Sequence, residues 1–122
     1  MTLFMTEIHA GDPVRLAEWY ARTLGLLVSL RDEPKGFVLL EAPEGGRLAI
    51  KRREDATERP KGMRLVFQVK DVGEQRDRLL GLGVAVGEQA ENLEERYREV
   101  RLSDPEGTPI TIFSWSDRPE GG

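Results

Sequence analysis

Few residues in this 122-residue chain have the side chains and spacing to do chemistry. Glu7 and His9 stand two apart in an alternating stretch, so on a strand both project from one face. A carboxylate and an imidazole so placed can reach one cation, and Glu99 offers a third oxygen ligand. The plainer reading is preferred: His9 is a pocket or rim histidine hydrogen-bonded to a carboxylate, because a metal demands three ligands in proper geometry. Glu7 and Glu99 would also serve as a carboxylate pair for acid–base work. Arg64 carries a permanent charge and five N–H donors suited to an anionic or oxygen-rich ligand. Its structural alternative, an ion pair with Glu7 or Glu99, is the nearer expectation.

Gln68 shares the alternation of Arg64 and Val66. Tyr97 and Arg101 share a face with Glu99. The phenol is able to stack or hydrogen-bond, and the guanidinium is able to clamp a carboxylate. The charged run 91–96 equally suits an entrance loop that carries Tyr97 with it. Phe113 and Trp115 project together from the last apolar stretch as pocket wall, dimer contact or core, with core or interface preferred. Trp19, beside Tyr20 at helical spacing, reads as packing. Ser29, Ser103, Ser114 and Ser116 lack a nucleophile-elbow sequence and have one histidine to share as base. The glycines fall at stops and turns, so no phosphate loop is implied.

The elements that must position these residues come in two copies. Ile8-His9-Ala10-Gly11-Asp12 leads into a helical pattern ending at Leu24-Gly25-Leu26, and Phe67-Gln68-Val69-Lys70-Asp71 leads into another ending at Leu82-Gly83-Val84. Pro43-Glu44-Gly45 before Leu48-Ala49-Ile50 recurs as Pro105-Glu106-Gly107 before Ile110-Thr111-Ile112. Each half therefore reads as a βαβββ unit. Asp12 is a good N-cap, and Pro13 suits the first helical position, where its missing N–H costs nothing. Leu16, Ala17, Tyr20 and Leu24 form the apolar stripe, and Gly25 supplies a left-handed stop. Asp71 and Gly83 repeat the device around Leu79 and Leu80. The expected organisation is one domain over 1–122: a first module at 4–52, a linker at 53–62 containing Pro60, a second module at 63–116 and a flexible tail at 117–122.

Composition narrows the function by exclusion. Twenty-two acidic against eighteen basic side chains give a net charge of −4, contrary to the clustered positive charge that phosphate backbones require. No cysteine is present, which removes disulfides, thiolate metal sites and a cysteine nucleophile. No apolar run approaches the roughly 20 residues of a membrane span. The N-terminus lacks a secretory pattern, so a cytoplasmic protein without nucleic-acid or membrane partners is expected.

The order Asp12, Trp19-Tyr20, Leu24-Gly25-Leu26 resembles the D…FY…LG signature that opens a module of the vicinal-oxygen-chelate superfamily. Arg64 to Val72 resembles the start of its second module, and Asp104-Pro105-Glu106-Gly107 its DPxG turn. The likeness runs from Phe4 to Trp115, in a superfamily that includes glyoxalase I, extradiol dioxygenases and bleomycin-resistance proteins. It implies an α+β fold of two tandem βαβββ modules whose mixed sheets curl into a cup with helices outside. The metal-ligand positions of its enzymes fall on Met5, Ala49, Arg64 and Thr111. A methyl group, a cation, a thioether and one hydroxyl hold no hard or borderline divalent ion, and a one-residue shift in alignment does not repair the set.

The expectation is thus a metal-free, cofactor-free, non-enzymatic homodimer of the bleomycin-resistance type. It would bind a small organic and possibly anionic molecule through Glu7, His9, Arg64, Gln68, Tyr97, Arg101 and Phe113. One alternative is a metal-dependent lyase, isomerase or dioxygenase with its metal displaced towards Glu7 and His9. Another is a non-catalytic interaction module with a closed, vestigial cavity.

Overall fold

The computed structural model describes residues 1–55, 57 and 61–116. The expected tail 117–122 and part of the expected linker, including Pro60, lie outside the described residues. The element order is β1 (Thr6–Ala10), α1 (Pro13–Leu24), β2 (Leu27–Asp32), β3 (Phe37–Glu41), β4 (Arg47–Arg52), then β5 (Leu65–Gln68), α2 (Val72–Gly81), β6 (Ala90–Asn92), β7 (Tyr97–Ser103) and β8 (Pro109–Trp115). Contacts divide the chain into two compact units, one of Met1–Lys61 with Pro105–Gly107, the other of Gly62–Asp104 with Thr108–Gly122.

Each unit contains a four-stranded mixed sheet with the same connectivity, β1-β4-β3-β2 in the first and β5-β8-β7-β6 in the second. The outer pairs β1–β4 and β5–β8 are parallel and the rest antiparallel. A helix must cross between the parallel strands, which is why each begins as soon as β1 or β5 ends.

In the first unit, Asp12 accepts from the Arg15 N–H at 3.2 Å, Pro13 opens the helix, and Gly25 closes it at φ +76°. Pro13, Leu16, Ala17, Tyr20 and Thr23 are the buried stripe of α1. They cover the strand face bearing Ile8, Leu48, Ile50, Val38 and Leu40, all buried. The P-E-G turn closes by an Ala42 N–H to Gly46 carbonyl bond of 2.9 Å. Arg53, at the head of the expected linker, is nearly buried and ion-paired with Glu106, while its backbone N–H donates to Ala10 at 2.8 Å.

Strand β2 contains a bulge: Val28 faces Leu40 and Leu30 faces Leu39, leaving Ser29 without a partner in the ladder. Its hydroxyl donates to the Leu39 carbonyl at 3.3 Å. The bulge lies at the sheet edge, where an extra residue disrupts least pairing.

In the second unit, Asp71 caps α2 by accepting from the Glu74 N–H at 3.1 Å. The helix ends at Gly81, two residues before the expected glycine: Leu82 is the cap and still right-handed at φ −85°, and Gly83 makes the turn at φ +82°. Val72 and Leu79, two helical turns apart, are buried. Leu80, expected in the same stripe, is exposed. It stands about 100° around the helix from Leu79, and α2 packs chiefly on β7 and β8, which one narrow stripe suffices to cover. Ser114 Oγ accepts from the Val72 N–H at 3.1 Å, tying the first turn of α2 to one face of β8.

Candidate functional site

Because cross-strand partners share a face, register assigns every strand residue to the helix side or the open side. On the open side of the first sheet, Glu7, Ala49, Leu39 and Leu30 form one row, and His9, Lys51, Phe37 and Asp32 the next. His9 Nε2 lies 3.1 Å from Glu7 Oε2, and each side chain is 40% exposed. That is the carboxylate-bound histidine expected from the spacing.

On the second sheet, Ser114 and its neighbours Ile110 and Ile112 face α2, so Thr111, Phe113 and Trp115 face the other way. The open side then reads, in three successive rows, Val66–Thr111–Arg101, Gln68–Phe113–Glu99–Ala90, and Trp115–Tyr97–Asn92. Tyr97, Phe113 and Trp115 make mutual edge-to-face contacts, with centroids 6.1 Å apart for Tyr97–Phe113, 6.5 Å for Tyr97–Trp115 and 5.1 Å for Phe113–Trp115. The Asn92 amide nitrogen is 3.5 Å from the Tyr97 hydroxyl. Tyr97 is the first residue of β7 and not part of an entrance loop. The β6–β7 turn closes before it, with the Arg96 N–H on the Asn92 carbonyl at 2.8 Å and Arg96 at φ +63°.

The arginines have different partners from those expected. Arg64 Nη1 donates to Thr111 Oγ1 at 3.2 Å and lies 3.5 Å from the Ile110 carbonyl. It is Arg101 that meets a carboxylate: its Nη2 is 3.5 Å from Glu99 Oε2. Two residues apart on β7, Arg101 and Glu99 are neighbours on one face, whereas Arg64 precedes β5 and reaches across to β8. Thus Gln68, Tyr97, Arg101, Phe113 and Arg64 share the open face of one sheet, and Glu7 and His9 pair on that of the other.

Trp115 completes the aromatic cluster, although the expected binding set stopped at Phe113. The available signal was its i, i+2 spacing from Phe113, which the preference for a core or interface role discounted. Trp115 is 57% exposed in the single chain, which sets aside the core role.

Two of the positions onto which the resemblance places metal ligands, Ala49 and Thr111, are buried. Ala49 ends in a methyl group, and the Thr111 hydroxyl accepts a hydrogen bond from the Arg64 cation, which stands where a metal would have to approach. Among the described residues, no three of His, Cys, Asp and Glu lie close enough together to hold a metal ion. No helix among them is long and apolar enough to cross a membrane.

Paired βαβββ units with this strand order define the vicinal-oxygen-chelate class of fold. A family model of the glyoxalase-like domain matches residues 5–113, and the chain belongs to that family. Among curated protein sequences, none matches the chain. Solved structures share the fold at low identity. A lactoylglutathione lyase from Agrobacterium tumefaciens is 19% identical over 93% of this chain and 92% of its own, with a TM-score of 0.75. TioX from Micromonospora sp. ML1 is 18% identical over 94% and 99%, with a TM-score of 0.76. A glyoxylase/bleomycin resistance protein/dioxygenase domain from Frankia sp. EAN1pec is 15% identical over 94% and 98%, with a TM-score of 0.78.

Proposed function

We propose that this chain binds a small organic molecule on the open face of its second sheet, without metal and without turnover. One observation carries the reading: three aromatic rings in mutual edge-to-face contact, with Trp115 largely exposed, sit on the strand face opposite α2. Packing α2 does not require rings on that face. Edge-to-face rings there offer a flat ligand both π faces and edges to contact. Gln68 beside Phe113 adds an amide donor and acceptor to fix orientation. Sequestration or sensing follows from such a site more directly than catalysis does, since Glu7 and His9 are the nearest approach to a catalytic pair and bind each other. The same reading takes the working form to be a cytoplasmic homodimer, which the mass in solution checks.

The test uses 2-naphthamide, a neutral bicyclic ring, titrated into the protein and followed by ligand-observed NMR. Saturable binding is expected, weakened about tenfold or more by Phe113→Ala, the order of a lost aromatic contact with its buried area. Trp19→Phe on α1 leaves it unchanged. Equal binding by Phe113→Ala and the parent protein would refute the platform. Stoichiometric divalent metal retained through purification, and lost in His9→Ala, would overturn the metal-free reading, and turnover abolished by a chelator would then favour the displaced-metal enzyme.

A further inference from the structure

The face that carries the rings is chemically graded along its strands. Trp115 and Tyr97 lie at one end, Phe113 one row in, and Arg101 one row beyond, beside Thr111 and exposed Val66. Rows on one face are two residues apart, roughly 7 Å along a strand. The carboxylate oxygens of a fused two-ring acid lie about 5 Å from the ring centre, and one hydrogen bond of about 2.8 Å closes the rest of the gap between a ring on Phe113 and the Arg101 guanidinium.

The cations at that end are not equivalent. Arg64 is committed to the Thr111 hydroxyl and the Ile110 carbonyl. Arg101 is 63% exposed and touches Glu99 through one nitrogen, at 3.5 Å, while Glu99 itself is 18% exposed. A long, exposed, single-point ion pair contributes little. Most of the five donors of Arg101 remain for an incoming anion, and a carboxylate takes two of them in a bidentate pair. Glu99 stands in the Phe113 row and opposes such an anion, so it sets the strength of the preference.

We infer that the ligand class is a planar aromatic acid, its ring on Phe113, Tyr97 and Trp115 and its carboxylate on Arg101. The assignment rests on the platform reading above and adds charge selectivity to it. Val66, in the Arg101 row on the other side of Thr111, adds exposed apolar surface at that end, and Thr111, already an acceptor for Arg64, holds that second cation close by.

The experiment compares 2-naphthoate with 2-naphthamide, which share a ring system and differ in charge. The parent protein is expected to prefer the naphthoate by about tenfold or more, as a charge-assisted hydrogen-bond pair provides. Arg101→Gln collapses the preference to within about twofold, and raising ionic strength narrows it. Glu99→Gln, which frees Arg101, widens it. Equal affinity for the two probes, or a preference that survives Arg101→Gln, overturns the charge assignment and leaves the platform standing. Binding of neither probe overturns both. Circular dichroism of the variants confirms that folding is intact in each comparison.

Discussion

The two sheets are built on one register and finished differently. Superimposing their pairings places Ile8 with Phe67, Leu48 with Ile110, Ile50 with Ile112, Val38 with Val100 and Leu40 with Leu102. Every one of these residues faces a helix and every one is apolar. On the open sides the same superposition places Glu7 with Val66, His9 with Gln68, Lys51 with Phe113, Ala49 with Thr111, Leu39 with Arg101 and Phe37 with Glu99. Not one of these pairs keeps its chemistry. Burial under a helix restricts what a row can hold, whereas the open row is free to specialise. Aromatic surface collects on the second sheet, whereas charge occurs on both, as Glu7, Lys51 and Asp32 on the first and Arg101 and Glu99 on the second.

The helices differ as well. Helix α1 buries five residues and α2 two, so more of the core is assigned to the first unit. The largest effect should therefore come from Tyr20→Ala, which removes a fully buried ring and is expected to cost about 4 kcal/mol. Leu79→Ala, at the corresponding depth under α2, is expected to cost about 3 kcal/mol. Urea unfolding measures both, and a larger loss from Leu79→Ala would reverse the ranking of the units. The helix starts should show no such asymmetry. Asp12→Ala and Asp71→Ala each remove one cap bond, at 3.2 and 3.1 Å, and are expected to cost about 1 kcal/mol apiece. Unequal costs would shift the difference from the helix faces to the helix ends.

The smallest effect falls on the first unit alone. Backbone and side-chain hydrogen bonds from Thr57 hold the Asp55 carboxyl below its ordinary value. A group lowered on folding stabilises above its unfolded pKa, and that contribution disappears as pH falls through the lowered value. An NMR titration should place the Asp55 midpoint below that of an unstructured peptide, and Thr57→Val should raise it. A midpoint at the peptide value would remove this acid-sensitive element from the first unit.

The repeat was legible in the sequence because its signals are local. Asp caps, Gly stops, P-E-G turns and short alternating runs each act within a few residues, and all eight strands and both helices follow from them. Leu80 misled because periodicity shows which residues are apolar but not how wide a stripe the sheet beneath can cover. Arg64 misled for a related reason. Its partner depends on which residue of β8 lies beside β5, and that register is set by packing across distant parts of the chain. For Tyr97 both the strand face and an entrance loop were open, because the charged run before it hides the strand start. The closing of that turn through Asn92 and Arg96 is a backbone event with no apolar signature. The open face was the hardest part to read, since neither sheet pattern nor helix stripe constrains it.

The unpaired Ser29 in β2 has a meaning for sequence change. Elsewhere in these sheets, losing one residue from a strand turns everything beyond it upside down. Removing Ser29 would join Val28 directly to Leu30 and leave Leu30, Arg31 and Asp32 opposite their present partners Leu39, Val38 and Phe37. Ser29 is thus a register-neutral position, where a deletion can occur without any neighbour changing sides.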